Sequence, residues 1–313
     1  MFLCVSLNPA MDKRLRLERL CIGRVNRATE VRPAPGGKAA HVAMVLKTLG
    51  ADPTWLGFSG GAAGSELVHG LRALSIRVEV IPTAACTRVN LEIIDEEGQV
   101  TEILEPGEQI DQKELLLLQN TVAKVLSESR EPVTLILSGS LPAGVPPDFY
   151  KILIEMAHKS ESRVFLDTSG DPFKCALTAK PEFVKPNREE AESWSGREID
   201  GPRSAEIILA SMLDSGAAAG ALSLGADGLV WLSAGTAAIL AKVPEVSVHS
   251  TVGSGDATLA GFAFAAQQGM APAEAVRLAA ACGSANCLAD APGRASASDI
   301  AQLQERILVE SLQ

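Results

Sequence analysis

One carboxylate, Asp256, stands in the stretch STVGSGDATLAGFAFAA (residues 250–266), directly after Gly253-Ser254-Gly255 and before an uncharged run from Ala257 to Ala266. A surface helix carries charges along one face, so this run reads as a helix packed on nearly all sides, with Asp256 at its mouth. Two glycines leading into a helix N-terminus offer consecutive backbone amides at 253–256. With the positive end of the helix dipole behind them, they form a concave anion site. A carboxylate there can take the proton of a substrate hydroxyl while the amides hold a migrating phosphoryl group. Aspartate is also a common N-cap, worth about 1 kcal/mol, and the stretch alone leaves both readings open.

Three further clusters carry groups suited to a phosphorylated ligand. In FVKPNREEAESW (183–194) a proline ends an apolar strand and Asn187 caps a helix with Glu190 three residues on, in the first turn, which standing alone reads as a capping box. In LSGSLPAG (137–144) a strand ends in serines and glycine before a proline turn, a loop able to offer hydroxyls and amides or an ordinary strand-to-helix turn. In PGGKAAHVA (35–43) paired glycines let backbone approach a ligand at a helix start. Other nucleotide motifs are excluded. Gly253-x-Gly255 is followed by Thr258 where a dinucleotide fingerprint needs glycine, and Gly37-Lys38 is followed by Ala39 rather than Ser or Thr. The protein-kinase set is absent as well.

These residues must be positioned by a sizeable core. The chain has 313 residues, 47% hydrophobic and 21% charged, enough for one large α/β domain or two smaller units. Its formal net charge of −10 argues against nucleic-acid binding, so an anionic ligand must meet a local basic site. The six cysteines show no C-x-x-C pair and read as reduced packing residues of a cytoplasmic protein. The opening FLCVSL is strand-like, with no signal peptide, and no uncharged apolar run reaches the ~18 residues of a membrane span.

Short apolar runs alternate with helical-period segments. TWLGF, VTLILS, RVFLDT and GALSL read as buried parallel strands, and Ala39 to Leu49, Asp111 to Ser127, Asp148 to His158 and Arg203 to Leu213 as helices between them, a doubly wound sheet. Residues 13–33 and 86–105 break the rhythm. Each alternates polar and apolar residues around a turn, at Ile22-Gly23 and at Glu96-Glu97-Gly98, as half-exposed antiparallel hairpins do. They predict a small accessory sheet over the carboxyl ends of the main strands, where such folds bind ligands. The expected division is a core of 1–10, 35–85 and 106–313 with a β lid of 11–34 and 86–105.

Taken together and in order, SLNPAMD, GRVNR, PGGK, TRVNLEI, SGSLPAGVP, FLDTSG, VKPNREE, SLGADG and TVGSGDATLAGF resemble the phosphofructokinase B family of ribokinase-like sugar kinases, in its hexose-phosphate branch. The resemblance implies a three-layer α/β/α fold with a mostly parallel sheet, and a β lid that serves as the interface of a homodimer. It implies Asp256 as catalytic base, with Gly253, Ser254 and Gly255 lining the anion hole. It implies ATP as phosphoryl donor and Mg²⁺ organised, largely through water, by Asn187 and Glu190, which suits the cation's preference for hard oxygen ligands. Lys185, Ser223, Gly225, Gly228 and Gly283 are implied near the nucleotide. Asp12, Gly36, Gly37, Lys38 and His41 are implied around the sugar, and Arg24, Arg88 and Ser138 around its phosphate, the two arginines supplying local positive charge.

The chain departs from the family pattern in two places. The usual G-G-K-G-x-N-V-A stands here as Gly36-Gly37-Lys38-Ala39-Ala40-His41-Val42-Ala43, and Ser254 replaces a commoner alanine. The expected activity is phosphorylation of fructose-1-phosphate, with tagatose-6-phosphate or fructose-6-phosphate as the other sugars, and a catalytically weak binder of nucleotide and sugar phosphate as the reading from another class. His41 is expected either in the sugar pocket, with affinity varying between about pH 6 and 8 as the imidazole titrates, or packed behind the glycines.

Overall fold

The computed structural model describes residues 1–312. Its strands are β1 (Phe2–Ser6), β2 (Ala10–Arg16), β3 (Glu30–Gly36), β4 (Pro53–Ser59), β5 (Arg77–Pro82), β6 (Arg88–Ile94), β7 (Val100–Ile103), β8 (Thr134–Ser138), β9 (Arg163–Asp167), β10 (Phe183–Val184), β11 (Ala219–Ser223), β12 (Leu229–Ser233), β13 (Ile239–Lys242) and β14 (Leu308–Ser311). Its helices are α1 (Lys38–Thr48), α2 (Gly61–Ala73), α3 (Gln112–Glu128), α4 (Phe149–His158), α5 (Gly170–Leu177), α6 (Arg188–Ser195), α7 (Pro202–Asp214), α8 (Ser254–Gln267), α9 (Pro272–Cys287) and α10 (Ala297–Arg306).

The main sheet has the order β14-β13-β12-β11-β10-β9-β8-β1-β4-β5. It is parallel from β5 to β11, and β12, β13 and β14 then add antiparallel edge strands that the apolar runs do not announce. Strand periodicity sorts its side chains onto two faces. Leu3, Val5, Leu135 and Leu137 meet α3, α4, α5 and α7 on one side, while Phe2, Cys4 and Ile136 meet α1, α2, α8 and α9 on the other. The expected helices form within a residue or two of their sequence bounds. Asp111 caps α3 by a full capping box, its side chain accepting from the amide of Lys113.

Helix α8 is buried nearly all round, as its lack of charge requires. It lies close against α9: a methyl added at Gly261 would come 2.6 Å from the Ala279 Cα, and one at Gly283 would come 2.4 Å from the Thr258 Oγ1. These two glycines set the helix spacing.

The second sheet has the order β3-β2-β6-β7. Each expected antiparallel pair is present, but the first is not a tight hairpin, since residues 17–29 form a long loop between β2 and β3, exposed from 22 to 29. The pairs join through parallel pairing of β2 with β6, which sets Asp12 opposite Asn90 and Arg14 opposite Glu92. Arg14 and Glu92 form a bidentate ion pair at 2.8 and 3.0 Å with both side chains about 95% buried. Arg14 also donates to the backbone carbonyls of Ala289 and Asp290, and the Ser250 hydroxyl donates to Glu92. One buried pair therefore ties the small sheet to the segments before α8 and after α9. Removing one partner strands a buried charge, so Glu92→Ala is expected to lower unfolding free energy by about 3–5 kcal/mol, read by urea denaturation. A loss under about 1 kcal/mol would mean that the tie contributes nothing beyond an exposed ion pair.

Candidate active site

The parallel strands deliver their carboxyl ends to one rim, where ligand sites of open α/β sheets form. Ser138 ends β8, Asp167 ends β9, Lys185 follows β10, and Ser223 ends β11. Register places Ser138 beside Asp167. The N-termini of α1 and α8 open toward the same rim, and the inner face of the small sheet brings Asp12 to it.

Asp256 lies in the first turn of α8 and is 4% exposed. It does not cap the helix. The N-cap is Gly253, in a left-handed conformation at φ 79°, and no side chain bonds the helix amides. The Asp256 Oδ2 instead lies 2.8 Å from the His41 Nδ1, and the His41 Nε2 lies 2.9 Å from the Asp12 Oδ2. The Asn90 Nδ2 donates to the Asp12 Oδ1 at 2.9 Å. Gly36 makes room for this row, because a methyl there would fall 2.2 Å from the Asp12 Cγ. Gly37, at φ 83°, caps α1 in a conformation that favours glycine.

Burial opposes charge on His41, but its hydrogen bonds and its attraction to Asp12 and Asp256 outweigh burial and raise its pKa to about 10. Burial likewise opposes charge on Asp12, yet the His41 and Asn90 bonds and the nearby Arg88 hold it below the ordinary carboxylate range. The expected titration of His41 between about pH 6 and 8 is thereby corrected: the imidazolium persists through neutrality. These are two sides of one interaction. A raised folded-state pKa gives stability that is full below the ordinary value of 6.5 and is lost as pH rises toward about 10. The depressed Asp12 adds stability that is lost as pH falls below its ordinary value of 3.8. The wild-type melting temperature should therefore decline between about pH 7 and 10 more steeply than that of His41→Asn, as calorimetry would show; parallel declines would mean that His41 is uncharged.

A second charged group stands beside the first. The Asp167 carboxylate is buried between Lys38, at 2.7 Å, and Lys185, at 3.1 Å. Burial opposes its ionisation, but the two ammonium groups hold it below the ordinary range. Lys38, expected with the sugar group, also reaches Glu190 at 3.5 Å and so stands with the residues expected around the metal. Burial works against the charge of Lys38, while Asp167, Glu190 and Asp256 hold its pKa above the ordinary lysine value. A methyl on Gly255 would come 3.0 Å from the Lys185 Nζ, so this glycine admits the ammonium to the α8 N-terminus.

Asn187 and Glu190 form the capping box: the Glu190 amide donates to the Asn187 Oδ1 at 2.8 Å, and the Asn187 amide donates to the Glu190 Oε2 at 2.9 Å. Glu190 Oε1 takes no part in the cap. The described residues contain no group of three or more His, Cys, Asp or Glu side chains able to cage a metal. This donor set suits Mg²⁺, which keeps several waters and needs few protein oxygens.

In the expected anion hole, the Ser254 N–H is given to the Thr251 carbonyl at 3.1 Å, and the unpaired amides of the first turn are those of Gly255 and Asp256. Ser138 is buried and its hydroxyl has no hydrogen-bond partner, an orphaned polar group at the rim. Arg88 donates to the Asn8 carbonyl at 3.1 Å and the Glu105 carbonyl at 2.7 Å, spanning the small sheet and the turn after β1. Ser223 bridges to Asn187 through the backbone, and Gly225 and Gly228 bound the short helical turn that follows it. Two expected residues are not brought to the rim contacts. Arg24 lies in the exposed part of the 17–29 loop and its side chain forms no ion pair among the described residues, while Gly283 faces Thr258 in the α8–α9 contact rather than open space. Asp167, Asn90, Arg14 and Glu92 are residues of this region that sequence reasoning did not single out. Asp167 had one signal, an acid ending an apolar strand.

This arrangement of rim, anion site and buried carboxylates accompanies a match to the pfkB family of carbohydrate kinases over residues 3–297. The chain belongs to this family. As a family member it is a phosphotransferase with a hydroxyl acceptor, and ATP is the family's phosphoryl donor. The kinase is 31% identical over 290 residues to a 1-phosphofructokinase of Borreliella burgdorferi, covering 92% of each chain. It is 35% identical over 278 residues to a 1-phosphofructokinase of Rhodobacter capsulatus, covering 88% of this chain and 87% of that one. Among solved structures it is similar to phosphofructokinase-2 from Escherichia coli in complex with substrates and products, with a TM-score of 0.90, 28% identity and 98% of both chains covered. The kinase thus has the ribokinase-like α/β fold that its motifs implied, a large mostly parallel sheet with helices and a small separate sheet. No helix among its described residues is long and apolar enough to cross a membrane.

Proposed function

We propose that this kinase phosphorylates a ketohexose monophosphate, fructose-1-phosphate foremost, to the bisphosphate. The observation that carries the reading is Asp256: a buried carboxylate beside two unpaired amides at a helix N-terminus, with one oxygen fixed by His41 and the other, Oδ1, bonded to no group of the described residues. The two relatives at 31% and 35% identity are 1-phosphofructokinases, whereas the phosphofructokinase-2 is 28% identical, which favours the 1-phosphate over the 6-phosphate sugars.

Bound ATP supplies the γ-phosphoryl group, and Mg²⁺ offsets the charge of its phosphates. The chain's residues do the rest. Asp256 Oδ1 accepts the proton of the acceptor hydroxyl, and the amides of Gly255 and Asp256 face the charge of the group in transfer. Asp12 receives sugar hydroxyls, and Arg88, with the unpartnered Ser138 hydroxyl, takes the sugar's own phosphate. Glu190 and Asn187 would hold the cation, and Lys38, Lys185, Ser223, Gly225 and Gly228 line the nucleotide side.

Residues 11–34 and 86–105 act as a lid over the core, and two copies associate through it. Ile22, Val25, Val31, Ile103 and Leu104 are large apolar side chains left exposed on this part of the chain, a surface suited to a second copy. All six cysteines are free, in keeping with a cytoplasmic setting.

The test is a steady-state comparison of fructose-1-phosphate, fructose-6-phosphate, tagatose-6-phosphate and fructose. The reading expects the highest kcat/KM for fructose-1-phosphate. Nucleotide and sugar binding without turnover of any of the four would favour a binding protein instead.

A further inference from the structure

His41 joins three elements that the chemistry must align: α1, which carries it, β2 of the small sheet, which carries Asp12, and α8, which carries Asp256. Both ring nitrogens are used, at 2.8 and 2.9 Å, and the side chain is only 5% exposed. The Gly293 backbone packs against the base of this residue, where a methyl would come 2.9 Å from the His41 Cα, and the two hydrogen bonds fix the ring beyond it. Two ionised carboxylates meeting one ring at opposite edges are both satisfied when each receives an N–H, as the imidazolium provides. We propose that His41 is a positioning residue that aims the base: it clamps Asp256 by Oδ2, ties it to the sugar-binding carboxylate Asp12, and so presents Oδ1 to the acceptor hydroxyl.

This inference rests on the reading of Asp256 as base and adds a residue that acts through it. The hydroxyl proton goes to Asp256 Oδ1 and the imidazolium keeps both of its own, so His41 exchanges no proton in the step. Its charge also offsets the gathering of acids around it. Beside burial, Glu102 on β7 feels Glu92, Asp12, His41 and Asp256, while the cations Arg88 on β6, which feels Asp12 and Glu105, and Lys38 on α1, which feels Asp167, Glu190 and Asp256, share in the offset. A clamp of this kind links occupancy of the sugar site to the aim of the base, because a sugar that draws on Asp12 pulls on the same ring.

The decisive experiment is a double-mutant cycle in single-turnover kinetics with fructose-1-phosphate, joined to ¹⁵N NMR of the imidazole in the sugar-free protein. His41→Asn is expected to slow transfer about 10- to 100-fold, the scale of a misplaced catalytic group. In the Asp256→Asn background the same change is expected to cost less than about threefold, since a residue acting through Asp256 has nothing left to aim. Multiplied losses would overturn the proposal. At about pH 7.5 both His41 nitrogens should show protonated shifts, and Asp256→Asn should lower the pH at which one is lost. A single neutral tautomer would overturn the proposal whether or not His41→Asn folds. If the chain transfers phosphate to no ketohexose phosphate, the functional reading fails while the NMR arm still decides whether His41 clamps the two carboxylates.

Discussion

Asp256→Asn should reduce the rate of phosphoryl transfer by about 10²- to 10⁴-fold while leaving ATP affinity nearly unchanged. The amide keeps the shape of the carboxylate and one oxygen, but it cannot take the hydroxyl proton at Oδ1. Its oxygen can still accept from the His41 Nδ1, so the row from α8 to β2 has a route to survive. Single-turnover measurements with nucleotide titrations separate the two effects. Gly253 rather than Asp256 stands at the N-cap and no side chain bonds the helix amides, so the variant loses no N-cap bond, and the unchanged ATP affinity is the control for a folded site. A rate within about threefold of wild type would remove Asp256 from the chemistry.

Arg88→Ala should raise the KM for a ketohexose monophosphate by about 10²-fold and leave that for ATP within about threefold, because a charge-assisted contact to phosphate is worth about 2–3 kcal/mol when partly buried. The guanidinium is held in place by carbonyls of Asn8 and Glu105 and lies close enough to feel Asp12, the carboxylate expected at the sugar hydroxyls. It thus stands between the small sheet and the sugar side of the rim. The variant should also lose its preference for phosphorylated over free sugars. Equal losses against fructose and fructose-1-phosphate would show that Arg88 supports the fold of the site without reading the phosphate.

Local patterns carried much of this arrangement. The uncharged run after Asp256 could only be a buried helix, and strands ending in Ser138, Asp167 and Ser223 sit at one rim because parallel strands must. What escaped depends on pairing between distant segments. Nothing in residues 10–16 or 88–94 states that they lie parallel, yet that register puts Asn90 on Asp12 and Glu92 on Arg14. The ion pairs of Lys38 and Lys185 with Asp167 likewise arise only when α1, β9 and β10 converge. The same limit explains His41. Its type was conspicuous in the sequence, but its titration is governed by two carboxylates 29 and 215 residues away along the chain. Gly283, expected near the nucleotide, packs on Thr258 between α8 and α9, and Arg24 stands on the loop between β2 and β3, placements that follow from helix packing and loop length rather than from any local pattern.

The most direct test of the account is ³¹P NMR of the products formed from ATP, Mg²⁺ and fructose-1-phosphate by wild type and Asp256→Asn side by side. The account predicts that wild type consumes ATP only when the sugar phosphate is present, yielding ADP and a ketohexose bisphosphate in equal amounts, and that the Asp256→Asn sample shows almost none of either. ADP formation that proceeds equally without sugar, or bisphosphate formed at the same rate by both proteins, would contradict it.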